Sequence, residues 1–330
     1  MPGRTVLTPA GLFRPEGAAI KPFGKDVLPC RNCTELLYLS LPPLTEDDKI
    51  DVQSLKNLVD HCIDNGLQCL YPCGTTGEMM YLTVEERKLV AETVVNHTNK
   101  RVPVFVQVGA WNLADTIELA RHAVAIGADG IGVVTPVFYK LSDQGLVDFY
   151  EAVANSVPAD FPVYLYSIPQ NAVNDINPAT AEAIAQKCAN VVGIKYSWPD
   201  FTKLQQFMLV RNETFSVLVG PDHLFEALCA VGGEGVVSGN AMCVPEHYAK
   251  IWEAIQAKDY DLATKYQRRT NVLNATMCAI NNIAAYKVIL KNEGVIATTK
   301  MRRPMENLTP EQEKKLLATM EKLKYREVLI

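Results

Sequence analysis

The chain has 330 residues, of which 48% are hydrophobic and 21% are charged, and its formal net charge is −5. This is the composition of a globular protein with enough length for a sizeable core. The acidic balance argues against a nucleic-acid partner, and no apolar run approaches the roughly 18 residues that a membrane span requires.

Residues 1–35 are rich in proline and glycine and have no clear periodicity. We predict a loosely ordered extension here; a flexible arm, an oligomer contact and a poor transit peptide are the alternatives. The nine cysteines form an odd count without a secretory signal, so we expect reduced thiols and a cytoplasmic protein. Cys30 and Cys33 form one C-x-x-C pair with no second pair at zinc-finger spacing, so no metal site is predicted.

From residue 36 onward, short apolar runs alternate with helical patterns. The predicted strands are Leu36–Leu39, Cys69–Tyr71, Val102–Gln107, Gly130–Val134, Val163–Tyr166, Val191–Lys195, Ser216–Val219 and Gly235–Ser238. The helices predicted between them are Asp51–Asn65, Val84–Asn96, Ala114–Ile126, Gln144–Ser156, Pro178–Cys188, Pro199–Leu209 and Asp222–Ala230. After the last strand, helices are predicted at Pro245–Ala257, Asp261–Cys278, Ile280–Glu293 and Pro310–Leu323. Thr83 followed by Glu86 predicts a capping box at one helix start.

This alternation is typical of βαβ units and a parallel sheet. Eight strands fit either an open doubly wound sheet or a (β/α)8 barrel. A dinucleotide-binding sheet would carry G-x-G-x-x-G directly after its first strand, and no such motif follows Leu39. We therefore predict an α/β fold, a (β/α)8 TIM barrel over residues 36–257 with a C-terminal helical extension over residues 258–330.

Lys195 lies near the end of an apolar, β-branched run that is typical of a strand buried on both faces. Burial disfavours the charged ammonium and lowers its pKa, and a neutral amine is a nucleophile that forms a Schiff base with a carbonyl compound. The alternative is a lysine at the strand end whose amine reaches solvent. The residues at the other strand ends bear on this choice, because the carboxyl ends of barrel strands line the active site.

Four other strands carry residues at or beside their ends that bear on whether the ligand is a carbonyl acid. The segment Gly74–Glu78 reads G-T-T-G-E, in which two hydroxyls beside free amides predict a carboxylate cradle, although a plain turn fits as well. Tyr166 ends the fifth strand, where it suits proton transfer or simple core packing. Asp222 follows the seventh strand, where it suits a helix cap. Glycines at 232–239 leave room for a ligand beside the backbone. Together these signals favour imine chemistry on an α-keto acid.

In this combination and order, the chain resembles the dihydrodipicolinate synthase / N-acetylneuraminate lyase family of pyruvate-dependent class I aldolases. The resemblance extends from about residue 36 to the C-terminus. The matching segments are Gly74–Glu78, Thr135-Pro136, Tyr166–Pro169, Gly193–Lys195, Gly220–Asp222, Gly232–Gly239 and Pro245-Glu246.

The resemblance implies a barrel that commonly forms a homotetramer or homodimer, with pyruvate and an aldehyde as its partners. It implies Lys195 as the Schiff-base lysine, Tyr166 as proton donor and acceptor, and Val237 against the pyruvate moiety. It also implies Thr75 and Thr76 as ligands of the keto-acid carboxylate, with Thr75 hydrogen-bonded to Tyr166. Other substrate-binding positions would be Gly74, Ser197, Gly220, Asp222 and Gly239. The imine itself is the electron sink, so no cofactor is implied, and none of the five histidines forms an i, i+4 ligand pair.

Three positions depart from the family pattern. Asn171 stands where the synthases place an arginine for the second substrate's carboxylate, which argues against dihydrodipicolinate synthesis. Phe138 stands where a tyrosine is often lent across the subunit interface, and Tyr139 is its only neighbouring substitute. Asp222 matches a sugar-binding aspartate of the lyase, but His223 replaces the glutamate that follows it there.

We therefore expect a lyase that cleaves or forms a C–C bond between pyruvate and an aldehyde, on a 2-keto-3-deoxy sugar acid or a sialic-acid-type substrate. The alternatives are a dehydratase on a keto-deoxy sugar acid, a synthase-like condensation with aspartate semialdehyde, and a non-catalytic keto-acid-binding barrel.

Overall fold

The computed structural model describes residues 37–328. The extension predicted over residues 1–35 and the Cys30–Cys33 pair lie outside the described residues. Eight strands are present in the described part of the chain, and all of their pairings are parallel. They are β1 Leu37–Ser40, β2 Cys69–Pro72, β3 Phe105–Gln107, β4 Gly130–Val134, β5 Val163–Ser167, β6 Val191–Tyr196, β7 Ser216–Val219 and β8 Gly235–Ser238.

The sheet curls so that sequence neighbours pair and its two ends meet. The strand order is β2-β1-β8-β7-β6-β5-β4-β3, and a further parallel bridge joins Leu70 in β2 to Val104, the residue before β3. A curled parallel sheet flanked by helices confirms the α/β prediction, and the bridge between its ends is consistent with the predicted (β/α)8 barrel.

The helices fall between the strands and continue after β8. They are α1 Val52–Asp64, α2 Val84–Thr98, α3 Leu113–Ala125, α4 Asp143–Ala154, the single turn α5 Pro169–Ala172, α6 Pro178–Lys187, α7 Phe201–Phe207, α8 Phe225–Ala230, α9 Pro245–Gln256, α10 Tyr260–Cys278, α11 Asn282–Asn292 and α12 Pro310–Lys322. The predicted capping box at Thr83 and Glu86 is confirmed, because each side chain accepts a hydrogen bond from the other residue's amide. Side-chain caps that accept backbone N–H groups fix the starts of these helices, and with them the ends of the preceding loops, except at α5, α8 and α9, which have no such cap.

Two predicted elements differ from the structure for local reasons. The third strand begins at Phe105 instead of Val102, because Pro103 has no N–H and the Val104 amide donates to the Asp129 carboxylate at 2.9 Å. Asp222 begins a 3-10 turn instead of capping a helix: Pro221 precedes that turn, and no side chain caps its start.

A register irregularity separates the start of β5 from its end. Val163 pairs with Val191, but Tyr164 pairs with Gly193, so Val192 has no partner in β5 and forms a bulge in β6. From the bulge onward the strands run in step, which places Tyr166 opposite Lys195.

The core has an inner and an outer part. Inside the curled sheet, a buried cluster gathers one or two side chains from most strands: Cys69, Tyr71, Phe105, Tyr164, Val192, Leu218 and Val237. Outside it, a larger cluster packs the outward strand residues against the helices. Burying a side chain of this size contributes about 1.5–3 kcal/mol, so both clusters fix the strand ends firmly.

Two further observations on the described residues concern their cysteines and the hydropathy of their helices. Six cysteines of this part are free thiols, and all but the last of them are buried: Cys62, Cys73, Cys188, Cys229, Cys243 and Cys278. None of the helices described has the length and apolar character that crossing a bilayer would take.

Candidate active site

The candidate site lies at the carboxyl ends of the strands and centres on Lys195. This residue is only 2% exposed, and it pairs directly with Tyr166 across β5 and β6. Its Nζ lies 4.0 Å from the centroid of the Tyr166 ring and 5.1 Å from that of the Tyr71 ring. The amine is therefore enclosed by protein instead of reaching solvent, which rules out the snorkelling alternative.

Burial controls the protonation of this amine. Loss of solvation lowers the pKa of Lys195 to about 7, although the negative charge of Asp222 works in the opposite direction. Near neutral pH, a large fraction of the amine is thus unprotonated and able to act as a nucleophile.

Tyr166 presents its hydroxyl to the loop that follows β2. Its oxygen lies 2.9 Å from Thr75 Oγ1, and burial raises the pKa of the phenol while hydrogen bonds to Thr75 and Ser197 oppose that rise. The phenol therefore stays protonated at neutral pH and has a hydroxyl partner with which it can exchange a proton. The predicted Thr75–Tyr166 contact is present.

Two glycines allow backbone and side chains to come close at the rim. A methyl group at Gly239 would lie 2.7 Å from Thr76 Oγ1, and one at Gly220 would lie 1.9 Å from Ser197 Oγ. Larger residues would push Thr76 or Ser197 away. The structure thus brings these four predicted substrate-binding residues together in two pairs around the Lys195–Tyr166 centre.

Val237 and Gly74 occupy the predicted places with different surroundings. Val237 is buried in the inner cluster, beneath the rim. Gly74 belongs to the turn after β2, where its carbonyl accepts a hydrogen bond from the Met79 amide at 3.4 Å. Contact of either residue with substrate stays a prediction.

Asp222 is engaged by the protein itself. Its Oδ2 accepts from the Asn240 side chain at 2.6 Å, its Oδ1 accepts from the Tyr248 hydroxyl at 2.8 Å, and Ser238 is a further partner. Burial raises the pKa of this carboxyl, and the hydrogen bonds oppose the rise. A role as ligand of a sugar hydroxyl stays a prediction, and such a ligand would have to share the carboxylate with these groups.

A cavity of about 380 Å³ opens beside Thr75. Most of its wall is apolar, from Met79, Met80, Trp111, Val134, Val137, Phe138, Ile168, Ala172, Val173, Ile283 and Met305. Asn171 also lines this cavity, at the position where we expected the second substrate to be selected. Phe138 and its neighbour Tyr139 are 69% and 74% exposed, so neither ring is covered by the described part of the chain.

Two features of the site escaped sequence reasoning. Tyr71 packs edge-on against Tyr166 at 6.5 Å between ring centroids. In the sequence, it looks like an ordinary buried residue of a strand. Glu78 forms a fully buried ion pair with Lys287 of α11, and only the G-T-T-G-E motif itself hinted that its carboxylate has a use.

Comparison with known proteins indicates one enzyme family. The sequence model of the Dihydrodipicolinate synthetase family matches residues 33–323. The chain is 35% identical over 251 residues to the 4-hydroxy-tetrahydrodipicolinate synthase of Acidiphilium cryptum, which covers 76% of this chain and 85% of that one.

Two solved structures are similar over nearly their whole length. A prophage protein of the dihydrodipicolinic acid synthase family from E. coli K12, in complex with pyruvate, superposes with a TM-score of 0.83 at 28% identity, covering 88% of this chain and 99% of that one. The Ruminococcus gnavus sialic acid aldolase gives a TM-score of 0.82 at 27% identity, covering 88% and 98%.

Proposed function

Because the chain belongs to the dihydrodipicolinate synthetase family, we propose that Lys195 forms a Schiff base with pyruvate and that the enzyme joins or separates pyruvate and an aldehyde. The observation that carries this proposal is a buried amine beside the Tyr166–Thr75 hydroxyl pair. The enzyme is thereby a carbon–carbon lyase of the class I pyruvate aldolase type.

The geometry supports a simple sequence of steps. The neutral Lys195 amine adds to C2 of pyruvate, and Tyr166 delivers the proton that lets water leave. The Tyr166 phenolate left by that step takes a proton from C3, and the electrons of the broken C3–H bond move into the protonated imine, which yields an enamine that attacks the aldehyde carbon. Tyr166 supplies the proton to the new alkoxide, and water releases the product from Lys195. In cleavage, the same steps run backwards; the imine is the electron sink, so the proposal needs no metal or other cofactor.

Thr75 and Thr76 are proposed to hold the pyruvate carboxylate. Their loop presents hydroxyls and amides next to Tyr166, which suits an anion within reach of the Lys195 amine. Val237 of β8 lies in the inner cluster, where it would bound the methyl end of pyruvate.

The comparisons favour the alternative expectation about the aldehyde over the main one. The curated relative is named for dihydrodipicolinate synthesis, which supports condensation with aspartate semialdehyde. The Ruminococcus neighbour, together with Asn171 in place of an arginine, supports cleavage of a sialic-acid-type or 2-keto-3-deoxy sugar acid as the second candidate.

A substrate panel separates these candidates. We expect pyruvate consumption with aspartate semialdehyde, or pyruvate release from sialic acid, 2-keto-3-deoxygluconate or 4-hydroxy-2-oxoglutarate, followed with a coupled pyruvate assay. Mass spectrometry of the products identifies a dehydratase, because its product has lost water and kept every carbon. Adduct formation without turnover of any substrate would instead support the non-catalytic barrel.

The pH dependence of adduct formation follows from the buried amine. We expect the rate of borohydride-trapped pyruvate adduct to rise with pH through a midpoint near 7, the pKa of Lys195, because only the unprotonated amine reacts. Above the midpoint the rate should level off, since the amine is then already neutral. A rate that keeps rising to pH 10 would contradict this assignment, because it would indicate an amine with an ordinary lysine pKa.

We also propose a cytoplasmic protein that acts as a homodimer or homotetramer. The free thiols of the described residues support the location. Exposed aromatic side chains near the cavity, Trp111, Phe138 and Tyr139, support an interface there.

A further inference from the structure

A fully buried ion pair connects the loop after β2 to the C-terminal helices. Lys287 Nζ of α11 lies 2.5 Å from Glu78 Oε1, and both side chains are completely shielded from solvent. The same amine donates a hydrogen bond to the Lys300 carbonyl at 2.8 Å. The pair therefore links the loop after β2 to α11 and to the segment that follows α11.

Such a pair is costly to build and is weak evidence for stabilisation. Two charges lose their hydration on burial, and apolar residues of similar size often give equal or better stability. Burial accordingly lowers the pKa of Lys287, against the opposing effect of Glu78. An apolar contact at this place would stabilise the fold as well as the ion pair does. A role in positioning the loop after β2 explains why the contact is charged.

The loop that Glu78 ends is the one that carries Thr75 and Thr76. Glu78 has a left-handed backbone (φ 52°), and its amide donates to the Thr75 carbonyl at 3.1 Å. A shift of Glu78 is therefore transmitted directly to Thr75, whose hydroxyl lies 2.9 Å from Tyr166.

The segment after α11 holds the same carboxylate from a second side. The Arg302 amide lies 3.5 Å from Glu78 Oε2, and its guanidinium pairs with Glu86 at 2.7 Å. Nearby, Thr298 donates to the Leu44 carbonyl at 2.6 Å, which ties this segment to the loop after β1. Both oxygens of Glu78 thus face groups supplied by the C-terminal region.

We infer that Glu78 and Lys287 are positioning residues that hold Thr75 and Thr76 at the right distance to bind the carboxylate of pyruvate. The C-terminal helices would then help to set the affinity for pyruvate without contacting it. This inference rests on the proposed function, since it concerns the same pyruvate site.

The test compares Glu78→Gln, Lys287→Met and the double variant with the wild-type enzyme. Its readouts are the pyruvate concentration that gives half-maximal borohydride-trapped adduct, and the thermal unfolding midpoint. The single variants should unfold at a lower temperature, because each leaves one buried group without its partner. The double variant should regain much of that loss, while its half-saturating pyruvate concentration stays about 10- to 100-fold above wild type, the cost of a misplaced hydrogen bond to a charged group.

Glu293→Gln serves as the matched control. Glu293 also lies in the C-terminal region and pairs with Arg326 at 3.1 Å and with the Tyr325 hydroxyl at 2.6 Å, away from the Thr75 loop. It should reduce stability without changing the pyruvate dependence. Glu78→Asp, which keeps both charges and shortens the side chain, serves if the neutral variants do not fold; it too should raise the half-saturating concentration.

The outcomes are distinct. A double variant, or Glu78→Asp, that binds pyruvate like wild type would overturn the inference and leave a purely structural ion pair. A wild-type enzyme that forms no pyruvate adduct at all would instead overturn the proposed function.

Discussion

Replacing Lys195 by arginine should abolish the pyruvate adduct and lower turnover by several orders of magnitude. A guanidinium stays protonated and cannot add to a carbonyl, whereas the buried lysine amine has a pKa of about 7. Removing a covalent nucleophile from other enzymes has cost on the order of 10⁶-fold in rate. The measurement is the mass of the protein after borohydride treatment with pyruvate, followed by peptide mapping of the modified residue.

The control for this variant is Lys203→Arg. Lys203 is a lysine whose side chain is mostly shielded, and it pairs with Asp175 at 2.5 Å, an interaction that arginine can preserve. It should form the adduct at the wild-type rate. An adduct that persists in Lys195→Arg would show that a different amine reacts, and the mechanism would have to be reassigned.

Replacing Tyr166 by phenylalanine should lower turnover by about 10²- to 10⁴-fold, the usual contribution of a general acid or base. The ring and its packing against Tyr71 and Lys195 would remain. Only the hydroxyl that contacts Thr75 would be lost. The adduct should still form, but slowly, because imine formation also needs proton transfers.

Tyr164→Phe is the matched control on the same strand. Its hydroxyl is buried and donates to Ser216 at 2.9 Å, but it points into the inner cluster instead of toward the rim. It should cost about 1 kcal/mol of the free energy of unfolding and leave turnover nearly unchanged. Equal rate losses in the two variants would mean that packing, and not proton transfer, explains the effect at Tyr166.

The sequence was sufficient to predict the arrangement of the rim. Apolar runs with periodic helices between them predict a parallel sheet, and in such a sheet the strand ends share one side. Lys195, Tyr166 and the Thr75 loop each end a predicted strand or follow one, so their proximity follows from topology alone. Most strand bounds agree within a residue or two because turns and caps are local signals.

The partners of buried charges were beyond the reach of the same reasoning. Lys287 lies in a helix whose sequence has no unusual feature. Nothing near it in the sequence indicates that it pairs with the distant Glu78 carboxylate. Asp222 is similar: it was predicted to cap a helix or bind substrate, but Asn240 and Tyr248 come from later segments. Such contacts depend on how elements pack together, which periodicity does not encode.

The bulge at Val192 decides which way the reactive amine points. Side chains of a strand alternate between its two faces, so one unpaired residue reverses the phase of everything after it. With continuous pairing from Val163 and Val191, Lys195 would stand opposite Ser167 and Tyr166 opposite Ile194. The amine would then face the surrounding helices instead of the interior. Chemistry at this site therefore depends on the number of residues as much as on their kind: a homologous strand with its lysine at the same distance from the strand start, but paired without the bulge, would carry the nucleophile on its wrong side.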